Sequence, residues 1–151
     1  MRRIRSNALR SFRLKPVACR LALAVCSAFA APHAVGAEVP WISLLPGNWS
    51  DGANWQGGTP PGVGDVAVFG PMSGGSSTSN SWRQINLLRF DAGALSHSVF
   101  VTDYLGLEAG IQNDSAVTQT VVINPANAHL RINTGTVTGA VNITNNDQLT
   151  F

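Results

Sequence analysis

Short apolar segments that alternate with turn-forming residues dominate the sequence from residue 85 onward. Each segment is three to six residues long, which is the length of a β-strand rather than of a helix. Gly, Asn, Asp and Pro stand between the segments, and these residues favour turns. The seven segments are 85–90, 98–101, 105–107, 120–123, 129–132, 140–143 and 148–151. They fit a sandwich, a barrel or a parallel β-solenoid, and their irregular spacing does not choose among the three.

The first 37 residues have the parts of a secretory signal peptide. Seven basic residues precede position 21, an apolar run fills residues 21–31, and Val35 and Ala37 occupy the −3 and −1 positions of a cleavage site. We therefore expect cleavage between Ala37 and Glu38. The apolar run has 11 residues, whereas a membrane-spanning helix needs about 20, so it should not remain as an anchor.

Removal of this leader changes the charge of the chain and its cysteine content. The whole chain carries +2, but residues 38–151 contain three Arg, no Lys and eight acidic residues, a net charge of −5. Three dispersed arginines are too few to neutralise a phosphate backbone, which excludes nucleic acid as a partner. Both cysteines, Cys19 and Cys26, lie in the leader, so the exported part cannot be held by disulfides.

The composition after the leader favours strands and turns. Residues 38–151 contain 14 Gly, 11 Asn and 10 Thr but only two Glu, a mixture that disfavours helices, so we predict an all-β chain. Residues 38–84 are rich in Trp, Gly and Pro and include a short strand candidate, 65–69, and a low-complexity segment, 72–81. Trp41, Trp49 and Trp55 need burial, so this region should form a cap and a loop rather than a linker, with the regular strands in 85–151.

A pattern within the cap region resembles the start of bacterial autotransporter-type passenger proteins with autotransporter-associated β-strand repeats. The pattern is W-x-x-x-x-N-W-x-x-G-x-x-P-x-x-x-D-x-A-x-F, and it is filled here by Trp49, Asn54, Trp55, Gly58, Pro61, Asp65, Ala67 and Phe69. The resemblance covers residues 47–151. It implies a right-handed parallel β-helix, exported to the cell surface and often joined to a C-terminal outer-membrane barrel. Because the sequence stops within an apparent strand and has no such barrel, we expect an N-terminal fragment.

Motifs that carry chemistry do not have the context that they need. Residues 62–67 match G-x-G-x-x-A, but they follow two prolines and lead into a strand, whereas dinucleotide binding requires a strand before and a helix after. Seven acids after Glu38 stand singly beside turn-forming residues, where Asp usually bonds to nearby backbone: Asp51, Asp65, Asp91, Asp103, Glu108, Asp114 and Asp147. We expect no catalytic residues, no metal site and no cofactor.

Two classes of function follow from these observations. We predict a non-enzymatic, secreted or surface-displayed β-solenoid passenger segment that serves as a scaffold for adhesion or interaction, with the motif residues serving structure. Its partners would be surface glycans or host-surface proteins, and an open C-terminal edge would favour self-association. The alternative is a module that binds or cleaves polysaccharide, in which Trp49 and Trp55 stack on sugars or several acids converge on one groove.

Overall fold

The strand content of the chain follows its Gly-, Asn- and Thr-rich composition. A computed structural model describes residues 36–146, in which eleven β-strands and a 3-10 turn at Gly52–Asn54 are found. The predicted leader up to residue 35 and the predicted strand at 148–151 lie outside the described residues. The strands are β1 (Glu38–Trp41), β2 (Gly47–Asn48), β3 (Val66–Phe69), β4 (Gly75–Ser79), β5 (Arg83–Phe90), β6 (His97–Val101), β7 (Tyr104–Asn113), β8 (Gln119–Ile123), β9 (His129–Ile132), β10 (Thr136–Thr138) and β11 (Val141–Asn145).

Consecutive strands belong alternately to two sheets over most of the chain. The first sheet has the order β1-β3-β5-β7, with both β9 and β10 on β7, and the second has the order β2-β4-β6-β8-β11. All pairings between these strands are parallel. Each coil therefore gives a strand to each of the two sheets, and these strands pair with the corresponding strands of the preceding coil. The fold is a parallel β-solenoid of about four coils, which confirms the fold class predicted from the sequence.

From β4 to β11 the second sheet keeps a constant repeat along the stack. Val99 pairs with Ser77 on one side and with Val121 on the other, and Val121 pairs with Ile143. Successive partners in this line are 22 residues apart, at positions 77, 99, 121 and 143. The same spacing places side chains of equal depth above one another, which is how a solenoid buries a continuous core between coils.

The core lies between the two sheets and is filled from alternate positions of each strand. In the first sheet Trp41, Phe69 and Phe90 share one register line and are all buried. Ring centroids lie 5.9 Å apart for Trp41 and Phe69 and 5.2 Å apart for Phe69 and Phe90, in stacked arrangements. Each fully buried apolar side chain of this size contributes about 1.5–3 kcal/mol. These lines of buried side chains at matching register positions therefore hold the coils together without disulfides.

Regular coils begin earlier in the sequence than the composition indicated. Strands β1 and β4 lie within residues 38–84, where a cap and a loop were expected, and β3 matches the strand expected at residues 65–69. All three pair in register with later strands. Strand β4 occupies Gly75–Ser79 in the low-complexity segment. Ser and Thr adopt extended backbone readily, and Ser77 and Ser79 face the core at the levels of Val99 and Val101.

Ser79 provides a test of how the coils are packed. Its hydroxyl is fully buried, and among the described residues its Oγ has no hydrogen-bond partner. An unsatisfied buried polar group costs about 1–3 kcal/mol. We expect Ser79→Ala to raise the free energy of unfolding by about 1 kcal/mol, measured by urea denaturation. The neighbouring Ser77→Ala should lower it, because Ser77 Oγ accepts a hydrogen bond from Trp49 Nε1; equal effects of both variants would contradict this assignment.

Candidate functional site

Three tryptophans of the N-terminal region form one closed aromatic cluster. Trp41, Trp49 and Trp55 are each no more than 1% exposed. Trp55 meets Trp41 and Trp49 edge to face, with ring centroids 5.0 and 5.3 Å apart, and all three rings contact Phe69. Such T-shaped contacts are favourable beyond the area that they bury. Since no ring of the three presents a face to solvent, the cluster offers no stacking surface for a sugar.

The segment that carries Trp55 also covers the free edge of the first sheet. Ile42 N donates to Asn54 O and Gln56 N donates to Pro40 O, so this segment runs antiparallel to β1. An uncovered edge strand is a template for aggregation, and a terminal cap removes that hazard in a solenoid. This arrangement gives the Trp-rich segment a capping role in the described structure.

The other motif residues make structural contacts around the cap. Asn54 Nδ2 donates to Asn48 O, and Pro61 O accepts from Arg83 Nη1. Asp65 accepts from Gly62 N through one oxygen and from Ala37 N through the other. Gly58 has φ of +77°, a left-handed conformation that favours Gly. The motif thus specifies turns and a cap, and none of these side chains is placed with another in a reactive geometry.

The predicted cleavage site lies on the first coil. Val66 N donates to Ala37 O, and Gly36 N donates to Gly64 O, so both residues before Glu38 extend the contact between β1 and β3. Cleavage after Ala37 would remove these bonds and the one from Ala37 N to Asp65. The residues on either side of this peptide bond are exposed.

A buried histidine sits among the aromatic rings. His97 is 1% exposed, and its ring centroid lies 4.5 Å from that of Phe69. Its Nδ1 is 2.8 Å from Ser73 O, and its Nε2 is 2.9 Å from Ser77 Oγ. Because a carbonyl oxygen only accepts, Nδ1 must carry the proton, and Nε2 of the neutral ring accepts from the Ser77 hydroxyl.

The hydrogen bonds of His97 form a chain that suits a neutral ring. Trp49 Nε1 donates to Ser77 Oγ at 2.9 Å, and Gln119 Oε1 accepts from the backbone N–H of His97. Burial lowers the pKa of His97 to about 4, although the carbonyl of Ser73 favours the protonated ring. The Ser77 hydroxyl is not accessible as a nucleophile, because it is buried between His97 and Trp49. The Ser–His contact therefore stabilises the core and is closed to substrate.

An open groove of about 300 Å³ lies on the outer face of the first sheet, beside the cap. Its polar lining includes Glu38 and Asp91, and its apolar lining includes Pro40, Val68 and Met72. Arg89 pairs with both acids, through Nη1 to Glu38 at 2.8 Å and through Nε to Asp91 at 2.7 Å. The hydrogen bond from Arg89 lowers the pKa of Glu38, and Glu38 in turn raises that of Arg89. Both carboxylates are thus paired with one cation, Arg89.

Three further acidic residues accept hydrogen bonds through their side chains, and they are dispersed over the solenoid. Asp51 caps the 3-10 turn by accepting from Ala53 N, Asp114 accepts from Gln112, and Glu108 accepts from Gln84 and Asn133. Within residues 36–146 no group of three or more His, Cys, Asp or Glu could hold a metal ion. In the same range no helix is long and apolar enough to cross a membrane.

Trp82 is the one tryptophan of the sequence that lies outside the aromatic cluster. It is 60% exposed, in contrast to the other three tryptophans. Its position directly before β5, next to a serine-rich segment rather than among turn residues, is the signal that separates it from the cap.

The class that fold and surface define is a two-sheet parallel β-solenoid closed at its N-terminal side by an aromatic cap. Comparison with models of protein families, with curated proteins and with solved structures finds no match.

Proposed function

We propose that this chain is a non-enzymatic β-solenoid segment of an autotransporter-like passenger protein, exported and displayed at the cell surface or released. It would serve as a scaffold for adhesion or interaction. The observation that supports the proposal is the structural role of the residues that carry the resemblance to passenger proteins. Trp49, Trp55 and Phe69 are buried in the cap and the first coils. Asn54 and Asp65 form hydrogen bonds that fix the adjoining turns. A passenger whose outer loops contact partners needs this kind of rigid, repetitive support.

The arrangement of acids favours the scaffold over polysaccharide cleavage. Cleavage of a glycosidic bond commonly uses two carboxyl groups placed on either side of it, one of them protonated. Glu38 and Asp91 share one groove, but Arg89 bonds to both, and its bond to Glu38 lowers the pKa of that carboxyl. A general acid requires the opposite shift. Both groups are therefore assigned to an ion-pair network on the surface.

Surface exposure of the chain would bring it into contact with glycans or host-surface proteins, and with other copies of itself. Strands β10 and β11 are the last strands of their sheets among residues 36–146. Stacked coils bury their apolar faces against the next coil, so contact between copies at this end would continue the pattern. Light scattering of the exported protein across a range of concentrations measures this association.

Export is tested by expressing the full chain in a Gram-negative host and measuring the intact mass of the protein in each cell fraction. We expect a periplasmic or extracellular product that begins at Glu38, because Val35 and Ala37 satisfy the −3 and −1 requirements. The matched control is Ala37→Arg, which places a large charged residue at −1 and should leave the precursor uncleaved. Recovery of unprocessed wild-type chain from the cytoplasm alone would refute the proposal.

A further inference from the structure

Aromatic and polar side chains converge on the outer face of the first sheet at the start of β5, β7 and β9. Arg83 pairs with Leu105, so the preceding residues Trp82 and Tyr104 are level with one another. The next outward positions are Gln84, which pairs with Gly106, and Arg131, which pairs with Gly106 from the other side. We call the group Trp82, Tyr104, Gln84, Glu108 and Arg131 the Trp82 surface.

The two rings of the Trp82 surface form a flat, exposed pair. Their centroids lie 5.4 Å apart and their planes differ by 8°. Tyr104 covers part of one face of the indole, yet Trp82 remains 60% exposed, so most of its exposed area belongs to the opposite face and the ring edges. An exposed tryptophan that is already ordered by stacking loses little side-chain entropy when a ligand binds.

Gly106 fixes the position of the Tyr104 ring. A Cβ atom at Gly106 would lie 3.0 Å from Tyr104 Cε1 and 3.1 Å from its hydroxyl oxygen, so the ring lies over the glycine. Such a distance is too short for any larger residue without movement of the ring. Glycine at this position therefore lets Tyr104 lie close to the sheet and support the indole of Trp82.

Hydrogen-bonding groups border the aromatic pair. Glu108 lies on the same strand as Tyr104 and accepts bonds from Gln84 Nε2 and Asn133 Nδ2 through one oxygen, Oε1. A carboxylate can accept several more bonds, and the guanidinium of the exposed Arg131 can donate five. Hydrogen-bond donors and acceptors thus lie next to a flat apolar surface, and the charges of Arg131 and Glu108 cancel.

We propose that the Trp82 surface binds a neutral polysaccharide built from pyranose rings with equatorial hydroxyls. Such a ring presents its axial C–H bonds as an apolar face, which packs on an aromatic plane, while its hydroxyls reach the surrounding polar groups. Small-molecule sites combine these features, an aromatic contact and a few placed polar groups. Anionic ligands are disfavoured because residues 38–151 carry a net charge of −5.

The test uses cellohexaose and chitohexaose as neutral probes and an oligogalacturonate as the anionic comparison. Binding to the full chain is followed by calorimetry and by tryptophan fluorescence, which responds because Trp82 is the exposed tryptophan. We expect Trp82→Ala to weaken binding of a neutral probe by about tenfold or more, and Trp82→Phe to retain part of it. Gly106→Ala should weaken binding through displacement of Tyr104. Leu95→Ala, at an exposed apolar residue on another loop, is the matched control and should bind like the parent.

Several results would overturn this inference. They are the absence of binding to either neutral probe, binding restricted to the oligogalacturonate, or equal affinity of the parent and Trp82→Ala. Thermal melting of each variant shows that a lost affinity does not reflect unfolding, and Trp82→Phe gives a second measure if Trp82→Ala melts early. Loss of self-association in Trp82→Ala without glycan binding by the parent would instead assign this surface to contact between copies of the chain.

Discussion

Replacement of Trp49 with Ala is expected to lower the free energy of unfolding by about 3–5 kcal/mol. The indole is fully buried and packs edge to face on Trp55 and beside Phe69, so truncation leaves a large cavity. It also removes the donor to Ser77 Oγ. Chemical denaturation monitored by circular dichroism measures the change, and the loss would be a large part of the stability of a small domain.

Trp82→Ala is the matched control for Trp49→Ala, since it removes the same side chain from an exposed position. Its effect should stay below about 1.5 kcal/mol, the upper range for one aromatic stacking contact. Trp55→Ala should resemble Trp49→Ala, because Trp55 is also buried and its Nε1 donates to Trp49 O. If both cap variants unfolded at the same denaturant concentration as the parent, the aromatic cluster would have no role in holding the cap.

The solenoid was predictable in part from the sequence. The apolar segments at 98–101 and 120–123 correspond to β6 and β8, and 129–132 coincides with β9. Their 22-residue register could have been found by aligning Val99 with Val121, but the first sheet departs from it: Val66 pairs with Leu87, and after a register shift between Ile85 and Leu87 the residue Leu88 pairs with Ile111. Register between coils depends on bulges and loop lengths, which composition does not report.

Polar strands and surface positions were beyond the reach of the sequence pattern. Strand β4 consists of Gly, Ser and Thr, so it lacks the apolar alternation that marks a half-buried strand. Strand β10, Thr136–Thr138, is short and exposed and was not predicted for the same reason. The exposure of Trp82, which lies directly before β5, likewise depends on the register of that strand. One step along a strand moves a side chain from the core to solvent.

The burial of His97 makes the stability of this fold sensitive to mild acid. Its pKa falls from the usual 6.5 to about 4 in the folded chain, because the ring is enclosed by aromatic side chains and desolvation disfavours the charged form. The unfolded chain binds a proton below pH 6.5, whereas the folded chain resists it until about pH 4. Folding stability from this group is therefore complete above pH 6.5 and declines as the pH falls toward 4.

We expect the free energy of unfolding to fall by about 1.4 kcal/mol per pH unit in this window, and by about 3 kcal/mol in total. Urea denaturation at pH 7, 6 and 5 measures the slope above the range in which most carboxylates titrate. His97→Gln, which retains amide hydrogen-bonding groups but does not titrate, should show a much smaller slope whatever its stability at pH 7. A parent protein equally stable at pH 7 and pH 5 would show that His97 accepts a proton within the fold. The chain of bonds from Ser73 through His97 to Ser77 and Trp49 would then have to rearrange, because a protonated Nε2 cannot accept and the Ser77 hydroxyl hydrogen would need another acceptor.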